Sequence, residues 1–231
     1  MRGWPLRSLF PKKNLGINLQ RSDEMAEDYV ITREQRDENQ KKITGLLLST
    51  KRPGMEKLVE WIVTKTDFFT APASTKYHLN CEGGLALHSL HVYQRLSEKV
   101  AQGLVKIEPD TVIITSLLHD LCKVNFYVKE VKNVKEGTKI NQYGKEVANW
   151  VEKEVWGIKD SFPVGHGEKS CWYIQNFIRL KPEEYAMIRL HMGPDKNSYP
   201  DPFSETAKLY PSVVAIFTSD IESAYILEEK Q

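Results

Sequence analysis

The apolar residues follow helical periodicity through the first half of the chain. The stretch TREQRDENQKKITGLLL predicts a helix with Thr32 as its N-cap. The stretch RPGMEKLVEWIVTKT predicts a second helix, in which Leu58, Trp61 and Ile62 share one face. A third helix is predicted over residues 84–101, after a loop that ends in two glycines.

The fourth predicted helix is the most apolar segment of the chain. It opens at Glu108-Pro109-Asp110 and is apolar nearly all round over residues 112–118, where it runs into the sequence TSLLHDLCK. A helix that is apolar on every side is buried on every side. We therefore expect this helix at the centre of the molecule.

The pattern changes between residues 125 and 158. The segments NFYVKEVKNV and NWVEKEVWGI alternate apolar and polar residues, which predicts two strands joined by a lysine-rich connection. Helices are predicted again at residues 167–180, 182–193 and 212–228, with a loop at 197–205. The predicted fold class is all-α, a helical bundle with a small β-hairpin insertion at residues 125–158.

Charge and composition are those of an ordinary globular protein. The chain has 231 residues, 41% of them hydrophobic, and a formal net charge of +1. A nearly neutral chain has no overall attraction for nucleic acid, so we expect no stable binding to duplex nucleic acid. The lysines of the insertion alternate with glutamates, which favours a solvated hairpin over a basic lip above a cleft.

Cysteine usage and hydropathy bear on where the protein resides. Cys81, Cys122 and Cys171 are scattered and form no CxxC pair, which argues against a disulfide framework and a thiolate zinc site. A reducing, cytoplasmic location is the simplest expectation. Apolar runs are too short to span a bilayer, so we expect no membrane partner.

The N-terminal segment is basic and has no acidic residue before Asp23. We predict a flexible basic tail over residues 1–30, followed by a single helical domain over residues 31–231. The alternatives are an amphipathic targeting segment and a translation start at Met25.

Several polar residues fall where a core is expected. In the third helix His88 lies on the apolar stripe, in the last helix Asp220 does the same, and His119-Asp120 ends the most apolar helix. Taken alone, each is more often a hydrogen-bonded packing residue than a ligand. Four such groups in one core need a common partner, because burying them unpaired is costly, and a divalent cation supplies that partner.

Two further histidines lie where predicted helices begin or end. His166 lies in PVGHGEKS and His191 in IRLHMGP, and side chains at helix ends can reach into a shared cleft. His91 is one turn from His88 on a neighbouring face, so we expect it behind the ligands or at the surface. Mixed nitrogen and oxygen ligands suit one or two ions of Mn, Fe, Ni, Co or Zn.

The order of these residues resembles a known family. His88, then His119-Asp120, then Asp220 is similar to the H…HD…D signature of the HD-domain metal-dependent phosphohydrolases. HLNCEGGLALHSLHV resembles the family's Gly-Gly-Leu-x-x-His helix start, and LLHDLCK resembles its LLHDIGK helix end, with Cys122 in place of the usual glycine. The resemblance spans residues 77–225.

Two more motifs resemble those of family members that hold two metal ions. GHGEKS and IRLHMG are similar to the extra histidine motifs, although Met192 follows His191 where some members have a second histidine. By this resemblance the first ion is bound by His88, His119, Asp120 and Asp220. Asp120 would also bridge to a second ion held by His166 and His191.

The resemblance also suggests which residues contact the substrate. Lys123 follows Asp120 by about one helical turn, so we assign Lys123 to the phosphate oxygens or the leaving group and regard both residues as catalytic. His78 matches a histidine of some exonuclease-like members, and Lys169 and Arg189 flank the later histidines. These three are candidate substrate-binding residues. The alternatives are a shielding role for His78 and solvated side chains for the other two.

The function implied by the resemblance is metal-dependent hydrolysis of a phosphate ester by a metal-activated water. A nucleotide or short oligonucleotide is the expected substrate, and homo-oligomer formation stays open. Two other functions are alternatives to this one. A di-iron oxygenase uses a similar ligand set and would consume oxygen, and a nucleotide-binding regulatory module would bind nucleotides with little turnover.

Overall fold

The computed structural model describes residues 30–195 and 201–228 of the chain. Its helices are α1 (Arg33–Ser49), α2 (Met55–Lys65), α3 (Gly84–Ala101), α4 (Pro109–Leu118), α5 (His166–Gln175), α6 (Pro182–Arg189), α7 (Pro202–Leu209) and α8 (Ser212–Glu222). Two antiparallel strands, β1 (Tyr127–Ile140) and β2 (Glu146–Ile158), form a hairpin between α4 and α5. The prediction of a helical fold with a small hairpin is confirmed. Of the predicted tail, only Val30 lies within the described range.

Helix α1 begins where its sequence predicts. The Thr32 hydroxyl accepts from the Gln35 backbone N–H at 3.2 Å, and the Gln35 side chain accepts from the Thr32 backbone N–H at 2.8 Å. This reciprocal capping box satisfies two donors that the first helical turn leaves open. Ile43 and Leu47 lie on the buried face, and α1 packs against α2, α3 and α4.

Helix α4 is the central helix, as its sequence predicts. Every residue from Thr111 to Leu118 is buried. Helix α4 packs against α1, α3 and α6, so it is enclosed by neighbours on several sides. Each fully buried Leu or Ile in it contributes roughly 1.5–3 kcal/mol relative to exposure. The residues that follow α4 are therefore held in a fixed position.

The hairpin projects from the helices, and the alternating sequence forms strands as predicted. Tyr127 pairs with Ile158 at the base, and the register shifts by a bulge between the middle and the tip of the ladder. Gly157 is the one buried residue of the two strands. Lysines and glutamates pair across it, as Lys129 does with Glu154 at 3.1 Å. The hairpin has the charge pattern of a solvated element.

The prediction of a loop at residues 197–205 is wrong at its C-terminal end. Residues 202–205 form the first turn of α7, and residues 196–200 lie outside the described part of the chain. Asp201 is the N-cap, since its carboxylate accepts from the backbone N–H groups of Phe203 and Ser204. Pro202 occupies the first helical position, where its missing N–H costs nothing.

The last predicted helix changes its winding before it ends. α8 gives way to a π-helical turn at Ser223–Leu227, closed by a hydrogen bond of 3.0 Å from the Glu228 N–H to the Ser223 carbonyl. The hydroxyls of Ser219 and Ser223 donate to carbonyls four residues earlier, a contact that bends helices. The prediction of a regular α-helix to residue 228 is therefore wrong in its last turn. α5 and α6 also end a few residues earlier than predicted.

The helices were also compared with the requirements for crossing a membrane. Over residues 30–195 and 201–228, none combines the length and the apolar character needed to cross a bilayer.

Candidate metal centre

All six histidines of the chain lie in one group, which we call the histidine cluster. Neighbouring ring centroids are 5.0 Å apart for His78 and His88, 5.3 Å for His88 and His119, 4.9 Å for His119 and His191, and 5.4 Å for His191 and His166. His91 joins the group through a carboxylate that it shares with His88. Residues more than 100 positions apart in the sequence thus meet at one place.

The helix ends determine how these side chains meet. His88 lies in the second turn of α3, and His119 and Asp120 follow the last residue of α4. His166 is the first residue of α5, and His191 follows α6 by two residues. Asp220 lies in α8. The predicted ligands therefore come from five helices whose ends or faces meet beside the C-terminus of α4.

The first group of donor atoms surrounds the Nε2 atoms of His88 and His119. His88 Nε2 lies 3.0 Å from Asp220 Oδ1 and 3.7 Å from Asp120 Oδ2. His119 Nε2 lies 4.0 Å from Asp220 Oδ1 and 3.4 Å from Asp120 Oδ2. Ligand atoms about 2 Å from one ion lie roughly 3–4 Å from each other. His88, His119 and Asp220 are close enough to share one divalent ion, and Asp120 Oδ2 lies beside both imidazoles.

A second group forms around the other oxygen of Asp120. Asp120 Oδ1 lies 2.7 Å from His166 Nε2 and 3.5 Å from His191 Nε2. The two oxygens of this carboxylate thus face different pairs of imidazoles. Asp120 therefore lies between two groups of imidazoles, and its bridging of two ions stays a prediction.

Three imidazoles of the cluster have a buried nitrogen atom without a hydrogen-bond partner, and two of them, His119 and His191, are candidate ligands. The Nδ1–H groups of His119 and His191 donate to the carbonyls of Ser116 and Ile188, at 2.8 and 2.7 Å. This fixes the tautomer and leaves the Nε2 lone pairs facing the carboxylates. Both Nε2 atoms are buried and lack a hydrogen bond. Buried polar atoms are rarely left unpaired, so these two nitrogens fit a bound cation.

The protonation states of the candidate ligands differ, and neighbouring carboxylates raise the pKa of both His88 and His191. Burial lowers the pKa of His119, which is therefore a neutral imidazole at physiological pH. Burial alone would raise the pKa of Asp120, but Lys123 and His119 hold that pKa well below its ordinary value. Burial would lower the pKa of His88, whereas Glu228 and Asp220 raise it to about 10. A cation at His88 Nε2 would replace the proton that this nitrogen otherwise holds.

Cys122 belongs to the second group of donors. Its sulfur lies 3.3 and 3.4 Å from the ring nitrogens of His166, and its backbone N–H donates to Ser170 Oγ at 2.9 Å. Burial raises the pKa of Cys122 to about 12, so without a cation the residue is a neutral thiol. Asp120, Cys122 and His166 are close enough to share one ion. Sequence reasoning did not include Cys122 among the ligands, although its position two residues after Asp120 was a signal.

A groove opens beside the centre, with a volume of about 240 Å³. Its lining includes Cys122, Lys123, Phe126, Asp160, His166 and Lys169. Lys123 Nζ donates to Asp120 Oδ2 at 2.7 Å and to the Ala73 carbonyl at 2.8 Å. The predicted catalytic lysine therefore borders both the ligands and the groove.

The three candidate substrate-binding residues have different surroundings. Lys169 is buried, pairs with Asp160 at 2.6 Å and lies over the Phe126 ring in the groove, so it is not a solvated lysine. Arg189 pairs with Glu168 at 2.9 Å and is absent from the groove lining.

His78 lies on the other side of the cluster, beside His88. Its Nε2 atom is buried without a hydrogen-bond partner. Burial, with the neighbouring His88, lowers the pKa of His78 to about 4, so the ring is neutral at physiological pH. The structure thus places His78 beside His88 as an uncharged imidazole.

Glu228 is the residue of this region that sequence reasoning missed altogether. Its carboxylate contacts the Nδ1 atoms of both His88 and His91 and is buried. His91 thus lies behind the ligands, one of the two positions expected for it.

Comparisons with known proteins found no relative of this chain. No family model matches the chain, and neither a curated protein nor a solved structure matches it. Within the described residues, the molecule has a buried cluster of histidine, aspartate and cysteine side chains that could hold a metal ion. This cluster is compatible with a metal site of the HD type.

Proposed function

We propose that the chain is an HD-type, metal-dependent phosphohydrolase acting on a nucleotide or short oligonucleotide. The observation that carries the proposal is the meeting of His88, His119, Asp120 and Asp220 beside the end of α4. Buried carboxylates and imidazoles are costly unless they are paired, and a divalent cation would pair all four of these groups at once.

The residues divide between two ions according to the two oxygens of Asp120. His88, His119 and Asp220 would hold one ion with Asp120 Oδ2, and His166 and His191 would hold the other with Asp120 Oδ1. A divalent ion bound there supplies an acidic water and neutralises charge on phosphoryl oxygens. Nδ1 hydrogen bonds to the backbone hold the ligands His119 and His191 in the orientation that this requires.

The groove supports an anionic substrate. Lys123 and Lys169 place two ammonium groups along it, and both have carboxylate partners that a phosphate would replace or share. Phe126 lines the same groove, with Lys169 Nζ 5.1 Å from its ring centroid. Ammonium groups act as point charges on phosphate, and an aromatic ring stacks on a base. A nucleotide combines both features.

Metal analysis of the purified protein, with a panel of phosphomonoesters, phosphodiesters and nucleotides, tests the proposal. We expect about one or two divalent ions per chain and phosphate release in the wild type. Asp120→Asn should lose both, because its carboxylate faces both ion sites. Asp37→Asn, at an exposed position of α1, is the matched control and should keep both.

Three outcomes would contradict the proposal. One is a metal content that Asp120→Asn leaves unchanged. The second is an iron-loaded protein that consumes oxygen and releases no phosphate, which would favour the oxygenase. The third is tight nucleotide binding without turnover, which would favour the regulatory module.

A further inference from the structure

We propose that Glu228 is a positioning residue of the metal centre, which aims His88 Nε2 at the ion by holding His88 and His91 from behind. The proposal rests on the metal centre put forward above. It concerns a carboxylate near the C-terminal end of the described chain, eight residues beyond Asp220.

The contacts of Glu228 are with imidazole nitrogens. Both of its oxygens lie 3.1 Å from His88 Nδ1, and Oε1 lies 2.7 Å from His91 Nδ1. The opposite nitrogen of His88, Nε2, is the one that faces Asp220 at 3.0 Å. The Nδ1–H of His88 therefore donates to Glu228, and this leaves Nε2 as the nitrogen that can bind a cation.

The burial of Glu228 argues that its contacts with His88 and His91 are not incidental. Its side chain has no exposed surface. Its two oxygens make three contacts with imidazole nitrogens, two with His88 and one with His91. A buried carboxylate is costly unless it is paired. Its pairing here is with a candidate ligand and with that ligand's neighbour on α3.

The π-helical turn explains how Glu228 reaches this position. Eight residues of regular α-helix rotate by about 800°, which would turn Glu228 roughly 80° away from the face of Asp220. The turn at Ser223–Leu227 is wider and rotates less per residue. Asp220 then contacts Nε2 of His88, and Glu228 contacts Nδ1 on the opposite side of the ring. Wide turns of this kind are frequent at functional sites.

The consequence for the centre is a ligand fixed in orientation and made more basic. A carboxylate that accepts from a metal-binding histidine fixes its tautomer, and losing such a partner costs roughly 10- to 100-fold in metal affinity. The shared contact with His91 keeps the Glu228 carboxylate in place. Chain residues after α8 thus contribute to metal binding without touching the ion.

Zinc affinity, measured on the full chain by competition with a chelator, tests this inference. We expect Glu228→Gln to weaken zinc binding by roughly 10- to 100-fold, because a neutral amide oxygen accepts more weakly than a carboxylate and the amide NH2 cannot accept from the His88 Nδ1–H at all. Glu228→Asp should recover part of the loss. Glu222→Gln is the matched control, since Glu222 is also near the end of α8 but pairs with Lys99 at 3.0 Å, and it should bind zinc like the wild type.

Nitrogen-15 spectra of the zinc-loaded protein distinguish positioning from a purely structural role. The wild type should have a slowly exchanging His88 Nδ1–H, and Glu228→Gln should lose this protection. Unchanged affinity in Glu228→Gln would overturn the inference alone. So would weaker binding with the protected Nδ1–H retained. A wild type that binds no divalent ion would instead overturn the proposed function.

Discussion

At the scale of single residues, Lys123 connects the ligands to the groove. Its ammonium group donates to Asp120 Oδ2 at 2.7 Å, and its side chain is 13% exposed on the groove side. Asp120 and the nearby Tyr127 outweigh the effect of burial and raise the pKa of Lys123, so the charge persists at any physiological pH. Two roles can therefore be separated, one toward the substrate and one toward Asp120.

Replacing Lys123 by methionine should lower turnover without loss of metal. The ammonium group competes with a cation for Asp120, so its removal should leave metal affinity equal or higher. Turnover should fall by roughly 100- to 1,000-fold if the lysine stabilises charge on the phosphate. Metal content and phosphate release, with the exposed hairpin variant Lys129→Met as control, check this. Simultaneous loss of metal and activity would show that Lys123 acts by holding Asp120 instead.

The sequence predicts the ligand residues better than their supporting residues. His88 and Asp220 are visible because each interrupts an apolar stripe at helical spacing, and His119-Asp120 interrupts the most apolar helix. Glu228 interrupts nothing in a regular helix, since only the π-helical turn brings it to the face of Asp220. The π-helical turn accompanies hydrogen bonds from serine hydroxyls to backbone carbonyls four residues earlier. Such a turn does not change the spacing of apolar residues in a way that a single sequence reveals.

At the scale of elements, the contact between α5 and α6 brings His166 and His191 together. A Cβ atom on Gly167 would lie 2.2 Å from the Arg189 carbonyl oxygen, so glycine permits this close approach. Gly167 follows His166 directly, and Arg189 is two residues before His191. The separation of the two helices therefore sets the separation of the two imidazoles.

Gly167→Ala should reduce both stability and metal content. The added methyl must push α5 away from α6 or distort a backbone, at a cost of about 1–3 kcal/mol in the free energy of unfolding. Any outward shift also moves His166 away from Asp120. Urea unfolding and zinc stoichiometry measure the two effects.

A second glycine supplies the control. Gly45 lies inside α1, and nothing lies within 4 Å of where its Cβ would be. Gly45→Ala should therefore raise the free energy of unfolding by about 0.5–1 kcal/mol and leave zinc binding unchanged. If Gly167→Ala behaved like Gly45→Ala, the close approach would not constrain the centre.

The elements most visible in the sequence are those with the strongest periodic patterns. The all-round apolar α4 and the alternating hairpin follow directly from their residues. Helix α7 was not expected because Pro202 and the surrounding polar residues indicate a loop as strongly as they indicate a helix start. The side-chain cap by Asp201 decides between the two, and it becomes visible only in three dimensions.

At the scale of the whole molecule, one buried ion pair joins segments that are distant in sequence. Arg52 donates to both oxygens of Glu184 at 2.8 Å, and Thr111 donates to Glu184 at 3.0 Å. Glu184 also accepts from the Lys181 backbone N–H at 2.8 Å. These contacts connect the α1–α2 turn with α4 and α6. His119 and Asp120 follow α4, and His191 follows α6.

This pair should make stability depend on acid pH. Burial alone would raise the pKa of Glu184, but Arg52 and the Lys181 N–H hold that pKa below its ordinary value. A carboxyl with a lowered folded-state pKa stabilises the fold above its unfolded pKa of about 4.3 and loses that contribution as the pH falls through the folded-state pKa. Glu184→Gln should therefore cost about 3 kcal/mol at pH 7 and progressively less below pH 4.

Urea unfolding of wild type and Glu184→Gln at several pH values measures this dependence. The control is Glu205→Gln, which removes an exposed pair with Lys208 and should change the free energy of unfolding by about 0.5 kcal/mol or less at every pH. A cost for Glu184→Gln that stayed constant from pH 7 to pH 3 would contradict the assignment.

The histidine cluster also allows the candidate centre to be followed by proton NMR without an added label. Because the chain has six histidines and all of them lie in this one group, every imidazole resonance in a proton spectrum originates at the candidate centre. Unperturbed side chains that titrate near pH 6.5 are histidines. Ion loading, substrate entry and loss of Glu228 should therefore each be visible in the signals of six imidazoles, and no other part of the chain contributes an imidazole signal.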